Sequence, residues 1–313
     1  MVGISRTPIV VWFGVLFGLV LTPLIALAPS VTSAQSTPEA LPPGTPGATP
    51  TLYAWVQLGP DGAQSARVIV DGECPDLIAD DQRAPMTPRS PAEAGTFPVV
   101  ACEASVPEGA TDLSVAGQSL PFLVNEPRRI AIIGDTGCRA ETGEAFQSCN
   151  DPSAWPFATI AGQVAAFEPD LIIHVGDYLY REVACPAEHP GCAGSPYGDN
   201  WATWQADFFE PAAAALPTAP WLFIRGNHEI CARAGEGWFR FLDPRAYPAS
   251  CQDYTQPYAL DIGRQRLVIL DSAIAADETS TPEETEMFRQ EFSELAAHTG
   301  DSAWLVTHKP IWG

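Results

Sequence analysis

Five short apolar runs, each closing on glycine or a polar residue, govern what this chain can become. They are RIAIIG ending near Gly134, LIIHVG near Gly176, WLFIRG near Gly226, RLVILDS near Ser272 and AWLVTH at His308. Runs this short and this rich in Ile, Val and Leu read as buried strands, and helix-like stretches separate them, so the region after Glu126 predicts an α/β layer architecture. Residues 153–167 follow Asp151-Pro152 and predict one helix. Residues 282–298 predict a second, because Thr281-Pro282-x-Glu284 has the spacing of a capping box with proline at the first helical position. Trp201 to Ala215 is a third helical stretch, with Trp201, Trp204, Phe208 and Phe209 spaced to bury one face.

The first part of the chain is organised differently. Between Thr51 and Asn125 the runs TLYAWVQL, ARVIV, FPVVACEASV and SLPFLV are separated by Gly, Pro and Asp turns, which predicts a small all-β domain, sandwich-like, over residues 51–125. It holds no catalytic cluster, and a second domain is expected over 126–313. Residues 35–50 are rich in Pro, Thr and Gly and read as an extended linker. Ahead of them, Arg6 precedes an uncharged apolar run from Pro8 to Ala28, followed by Thr32, Ser33 and Ala34 as small residues for cleavage. Residues 1–34 therefore predict an export signal and a secreted or periplasmic protein, although the run is also long enough to remain as an uncleaved membrane anchor.

Eight cysteines behind such a leader imply disulfides. Spacing does not choose among the possible pairings. Nearest-neighbour pairing is the expectation: Cys74 with Cys102, Cys138 with Cys149, Cys185 with Cys192, and Cys231 with Cys251. A thiolate metal site is the rival reading, against which stands the absence of any Cys-x-x-Cys. Charge narrows the partners. With 16 Lys plus Arg against 38 Asp plus Glu, net −22, the chain repels nucleic-acid backbones and anionic membranes. A phosphorylated substrate would need a strong local positive field, and a metal is its natural source.

Asp135, Asp177, Asn227 and His308 each stand at or just beyond the carboxyl end of an apolar run, the edge of an α/β sheet where ligands bind. A single Gly-Asp is ordinary turn material. Four strand ends carrying metal-ligand side chains, in order, are not. The blocks Gly134-Asp135-Thr136-Gly137, Gly176-Asp177-Tyr178-Leu179-Tyr180, Gly226-Asn227-His228-Glu229 and Val306-Thr307-His308 resemble the first signature blocks of the metallophosphoesterases, specifically their purple acid phosphatase branch. The resemblance covers roughly residues 128–313 and implies an αββα sandwich. Calcineurin-type phosphatases carry Asp-x-His in the first block, whereas here Gly137 takes the His position and Tyr180 offers a phenol.

The resemblance implies a binuclear centre. Asp135, Asp177 and Tyr180 would hold Fe(III), while Asp177 bridges to a divalent Zn, Mn or Fe held by Asn227 and His308. A phenol, with pKa near 10, serves as an anionic ligand only to a strongly Lewis-acidic, hard cation, and ferric iron suits it. Hydrolysis of phosphate monoesters by metal-bound hydroxide follows, with His228 as proton donor to the leaving group and Glu229 as the acceptor orienting His228. A phosphodiesterase on the same metals is the close alternative. His174, inside a strand, reads as a hydrogen-bonded core histidine, and Arg139, Arg181 and Arg233 as solvent-facing or ion-paired as readily as phosphate-binding. One departure stands out: the family's Gly-His-x-His block is absent from these residues. The domain is thus expected to be C-terminally incomplete, with an unpaired sheet edge, and a non-catalytic exported scaffold is the reading from another class.

Overall fold

The computed structural model describes residues 51–300 and 302–311; the expected export signal and linker lie outside them. The strands are β1 Thr51–Leu58, β2 Gln64–Val70, β3 Asp76–Ala79, β4 Gln82–Pro85, β5 Thr87–Pro88, β6 Val100–Ser105, β7 Leu113–Val115, β8 Gln118–Ser119, β9 Ile130–Ile133, β10 Leu171–His174, β11 Trp221–Phe223, β12 Tyr258–Ile262, β13 Gln265–Ile269 and β14 Trp304–Val306. The helices are α1 Phe157–Ala166, α2 Trp201–Trp204, α3 Glu210–Ala212, α4 Gly235–Phe241 and α5 Pro282–His298, with a π turn over Gln205–Phe209 joining α2 to α3.

The largest sheet has seven strands in the order β5-β6-β2-β1-β11-β10-β9. Its second half is parallel, with His174 of β10 in register with both Ile133 of β9 and Phe223 of β11. Period-two alternation decides what covers each face. Ile172, Trp221, Phe223 and Trp55 point toward the helices, where α1 buries Phe157, Ala161 and Val164 beside Trp204, Phe208 and Phe209. The aromatic stretch after Trp201 is therefore a buried face, as its spacing predicts. Leu58, Leu171, Ile173, Leu222 and Ile224 point the other way, onto Leu260, Ile262, Leu267 and Ile269 of a three-stranded sheet ordered β12-β13-β14. The outer side of that sheet, through Ala259, Val268 and Leu270, receives Leu295 of α5. The layers run helix, sheet, sheet, helix. At the outer edge of the smaller sheet, β14 exposes Trp304 and Leu305.

Local signals account for the ends of the helices. Thr281 Oγ1 accepts from the Glu284 amide at 3.2 Å while Glu284 Oε2 accepts from the Thr281 amide at 2.7 Å, a complete capping box on α5. Helix α1 starts at Phe157 rather than 153, because Asp151 Oδ1 takes the Ser153 amide and hydroxyl and turns the chain first. Strand β12 and helix α4 went unread in the sequence, since neither has a strong apolar period of its own.

The expected boundary between residues 125 and 126 needs correction. A sandwich is present: Ala54, Val56, Val68 and Cys102 of the large sheet face Leu77, Leu113 and Val115 of a four-stranded sheet, β4-β3-β7-β8. Yet one of its two layers is not its own. Strand β1 pairs in parallel with β11 through Gln57 and Trp221, so the sheet runs unbroken from the sandwich into the α/β part, and the described residues fall in one unit. Buried arginines reinforce the seam. Arg67 donates to the carbonyls of Phe241 (2.7 Å) and Asp243 (2.8 Å), and Arg89 to those of Phe239 (3.1 Å) and Asp243 (2.9 Å). These oxygens lie in the last turn of α4 and just past it, where cationic donors are favourable.

Candidate metal centre

Because β9, β10 and β11 are parallel and in register, their carboxyl ends open along one edge, and the loops that follow carry Asp135, Asp177 and Asn227. Val306 closes β14 in the second sheet and brings His308 to the same place. Asp135 and Asp177 both adopt left-handed backbone, with φ of 53° and 62°. Aspartate tolerates this conformation better than most residues, and its use at two strand ends marks backbone held by its surroundings. The loops are laced together: the Asp135 amide donates to the Gly176 carbonyl and the Thr136 amide to the Asp177 carbonyl, each at 3.0 Å.

All five sequence-predicted donor residues converge. The Tyr180 hydroxyl lies 2.6 Å from Asp177 Oδ2 and 3.0 Å from Asp135 Oδ1. His308 Nε2 lies 2.9 Å from Asn227 Oδ1 and 3.4 Å from Asp177 Oδ2, while its Nδ1 meets the Val175 carbonyl at 2.8 Å. Ligand atoms of Asp135, Asp177 and His308 sit within 4.8 Å of one another. Burial raises the Tyr180 phenol strongly, and the two carboxylates add to it. Burial also works against the Asp177 carboxylate, but the hydrogen bond and charge of His308, the charge of His228 and the Tyr180 hydroxyl outweigh it and hold that group well down. A phenol facing two carboxylates ionises only if a cation joins them. The set of hard oxygens with one imidazole and one amide fits a pair of hard metal ions.

Gly137 is set by the close approach of the Tyr180 loop. A Cβ at 137 would stand 2.7 Å from the Tyr180 ring carbon Cδ2, 2.7 Å from the Tyr180 amide nitrogen and 2.9 Å from the Tyr178 carbonyl oxygen, so the backbone as well as the ring leaves room only for glycine. Gly176 is fixed by similar crowding, with φ of 106° and His308 Nδ1 2.7 Å from where a Cβ would be.

His228 is also in the site. Its amide donates to Asp177 Oδ1 at 3.0 Å, its ring centroid lies 3.7 Å from that of Tyr180, and Nε2 is 3.8 Å from Asp177 Oδ2. The acceptor beside it is not Glu229, correcting the expected orienting role. Glu182 Oε1 lies 2.8 Å from His228 Nδ1. Arg233 also approaches that ring, at 2.7 Å, but it already donates to Glu182 and Glu141, so an Nδ1 proton pairs with Glu182. Arg233 is thus ion-paired within the site. Its partner Glu141 comes from the Cys138–Cys149 loop.

Glu229 serves the backbone instead. Fully buried, it accepts from the amides of Asp177 (3.0 Å), Tyr178 (2.8 Å), Leu179 (3.2 Å) and Gly226 (3.0 Å). Burial first, then the charge of Asp177, pushes its carboxyl up to about 7. Asp207 in the π turn does the same for the next loop, accepting from the amides of Cys138 (3.1 Å), Tyr180 (2.9 Å) and Arg181 (3.1 Å) and from Arg181 Nε at 2.5 Å. Sequence reading missed Asp207. The available signal was a carboxylate set among Trp204, Phe208 and Phe209 on a face that should be apolar. His174 is a core residue: it is buried, its Nε2 is 2.9 Å from Thr136 Oγ1, and burial lowers its pKa to about 3. Arg139, by contrast, is exposed, with Nε donating to the Ala145 carbonyl.

All four disulfides join nearest neighbours, as expected: Cys74–Cys102, Cys138–Cys149, Cys185–Cys192 and Cys231–Cys251. Pairing removes the thiolate metal site suggested by Cys185, His189 and Cys192. Among the described residues, no helix is long and apolar enough to cross a membrane.

Purple acid phosphatase 23 of Arabidopsis thaliana is 27% identical over 225 residues, covering 67% of this chain and 44% of that protein. Purple acid phosphatase 13 of the same plant is 22% identical over 180 residues, covering 50% and 30%. The chain spans less than half the length of these curated relatives. A solved structure of PhoD aligns with a TM-score of 0.46 and 13% identity over 81% of this chain and 60% of that one. Residues 128–313, more than half of the chain, match the calcineurin-like phosphoesterase family. The chain belongs to that family, with its sequence likeness running to the purple acid phosphatase branch.

Proposed function

We propose that this protein is an exported, metal-dependent phosphoesterase that hydrolyses phosphate monoesters. The observation that carries the reading is the Tyr180 hydroxyl set between the Asp135 and Asp177 carboxylates, at 3.0 and 2.6 Å. Asp135, Asp177 and Tyr180 would hold Fe(III); Asp177, Asn227 and His308 would hold a divalent Zn, Mn or Fe. When bound, such a pair polarises phosphoryl oxygens and lowers the pKa of water from about 15.7 toward about 7. The protein's own residues do the rest. His228 keeps Nδ1 on Glu182 and holds Nε2 beside the donor set, 3.8 Å from Asp177 Oδ2 and 3.0 Å from the Arg233 guanidinium, which suits it to give a proton to the departing alcohol. Glu229 and Asp207 hold the loop amides, so the donors are placed before substrate arrives.

Four disulfides support export, in keeping with an oxidising compartment. A net charge of −22 argues against a nucleic-acid partner. A non-catalytic scaffold is the alternative from another class. Reconstitution with iron and zinc separates the two. The expected outcome is near-stoichiometric binding of both metals, a visible phenolate-to-iron absorption band, and hydrolysis of p-nitrophenyl phosphate faster than of its bis ester. Chelation should remove colour and activity together. Protein that takes up no metal and hydrolyses neither ester is a scaffold; a faster bis ester makes it a diesterase.

A further inference from the structure

Next to the Asp135 and Tyr180 oxygens, the loop after β9 opens into a cleft of about 480 Å3. One wall is the start of α1, with Trp155, Phe157 and Ile160; Ile133 adds a further apolar surface, and Arg139 and Gln147 also line the cleft. The wall is anchored to the loop that carries Asp135, because the Trp155 indole donates to the Thr136 carbonyl at 2.8 Å and the Arg181 guanidinium lies 4.9 Å over its ring. The loop that carries Gln147 is closed by Cys138–Cys149, and Gln147 is held by the Arg139 amide and the Ala154 carbonyl. In a chain of net charge −22, the charged side chains lining this cleft are only Asp135 and Arg139.

A phosphate ester has two unlike halves. The phosphoryl end belongs with the donors at Asp135 and Tyr180, which leaves the alcohol half to occupy whatever adjoins them. A benzene molecule fits a cavity of about 150 Å3, so this cleft holds a ring and the atoms linking it to phosphorus. Aromatic and branched aliphatic walls with few polar groups select flat apolar ligands. We infer that the cleft binds the alcohol half of the substrate and selects aryl or arylalkyl phosphates over small alkyl ones, with Trp155 and Ile160 as the specificity-determining residues. This rests on the phosphoesterase reading.

The test uses benzylphosphonate and ethylphosphonate, which cannot be hydrolysed, titrated calorimetrically into the metal-reconstituted full chain. Hydrolysis of benzyl phosphate and ethyl phosphate is measured alongside, since two alkoxide leaving groups of similar basicity give chemistry little reason to prefer either. The wild type is expected to bind the benzyl ligand about tenfold more tightly, in line with burial of one phenyl ring, and to show a matching preference in kcat/KM. Ile160 is 39% exposed, so Ile160→Gln keeps the charge and the fold. It is expected to remove most of the preference, weakening benzyl binding several-fold more than ethyl binding, with Tm unchanged. Equal binding of the two ligands by the wild type, or a preference that survives Ile160→Gln, overturns the inference and leaves the phosphoesterase reading standing. No binding of either phosphonate removes both.

Discussion

Asp177→Asn is expected to lower phosphate monoester hydrolysis by at least ~10^3-fold, because the Lewis-acid stabilisation at stake is several kcal/mol and each 1.36 kcal/mol is tenfold. Asp177 is where the candidate site meets: Tyr180, His308 and His228 all approach its carboxylate. The substitution is close to isosteric, and an asparagine Oδ1 can still accept the His228 amide that now reaches Asp177 at 3.0 Å. Folding should therefore survive. Metal analysis beside the rate measurement gives the discriminating readout, with loss of metal accompanying loss of rate. A variant that retains both metals and wild-type rates would remove Asp177 from the ligand set.

Glu229→Ala is expected to produce the largest loss of stability. Four backbone N–H groups donate to this carboxylate, and hydrogen bonds to a charged group are worth about 1.5–3 kcal/mol each before relaxation. With water entering part of the space, a net cost of about 3 kcal/mol is expected. In a unit of this size that lowers Tm by about 6–12 °C. Glu229→Gln should also destabilise, since its NH2 would face the Asp177 and Gly226 amides, two donors against donors. Thermal unfolding of both variants checks this. If Gln behaves as wild type while the pH dependence of turnover shifts, Glu229 acts on His228 after all and the backbone role is wrong.

What was legible in the sequence and what was not divide along a physical line. Asp135, Asp177, Asn227 and His308 could be placed because each ends an apolar run, and parallel strands in register deliver their ends to one edge. The capping box at Thr281 and Glu284 is likewise a local signal, as is the proximity that pairs the cysteines. Glu229 was legible as a residue and misread as a role: its neighbour in sequence is His228, but its partners are amides some 50 positions earlier. Glu182 and Asp207 act the same way at a distance, on His228 and on the Tyr180 loop. The domain boundary failed for this reason too. Nothing in TLYAWVQL tells that β1 will lie against WLF, more than 160 residues on.

That shared sheet has a practical consequence for anyone trimming the gene. A clone begun at residue 126 would retain every proposed metal donor, yet it would strip β11 of its outer neighbour and leave that edge of the sheet unpaired. Unsheathed hydrogen-bonding strands of this kind recruit one another. Such a product should accumulate as insoluble material, whereas one begun at residue 51 should stay in solution.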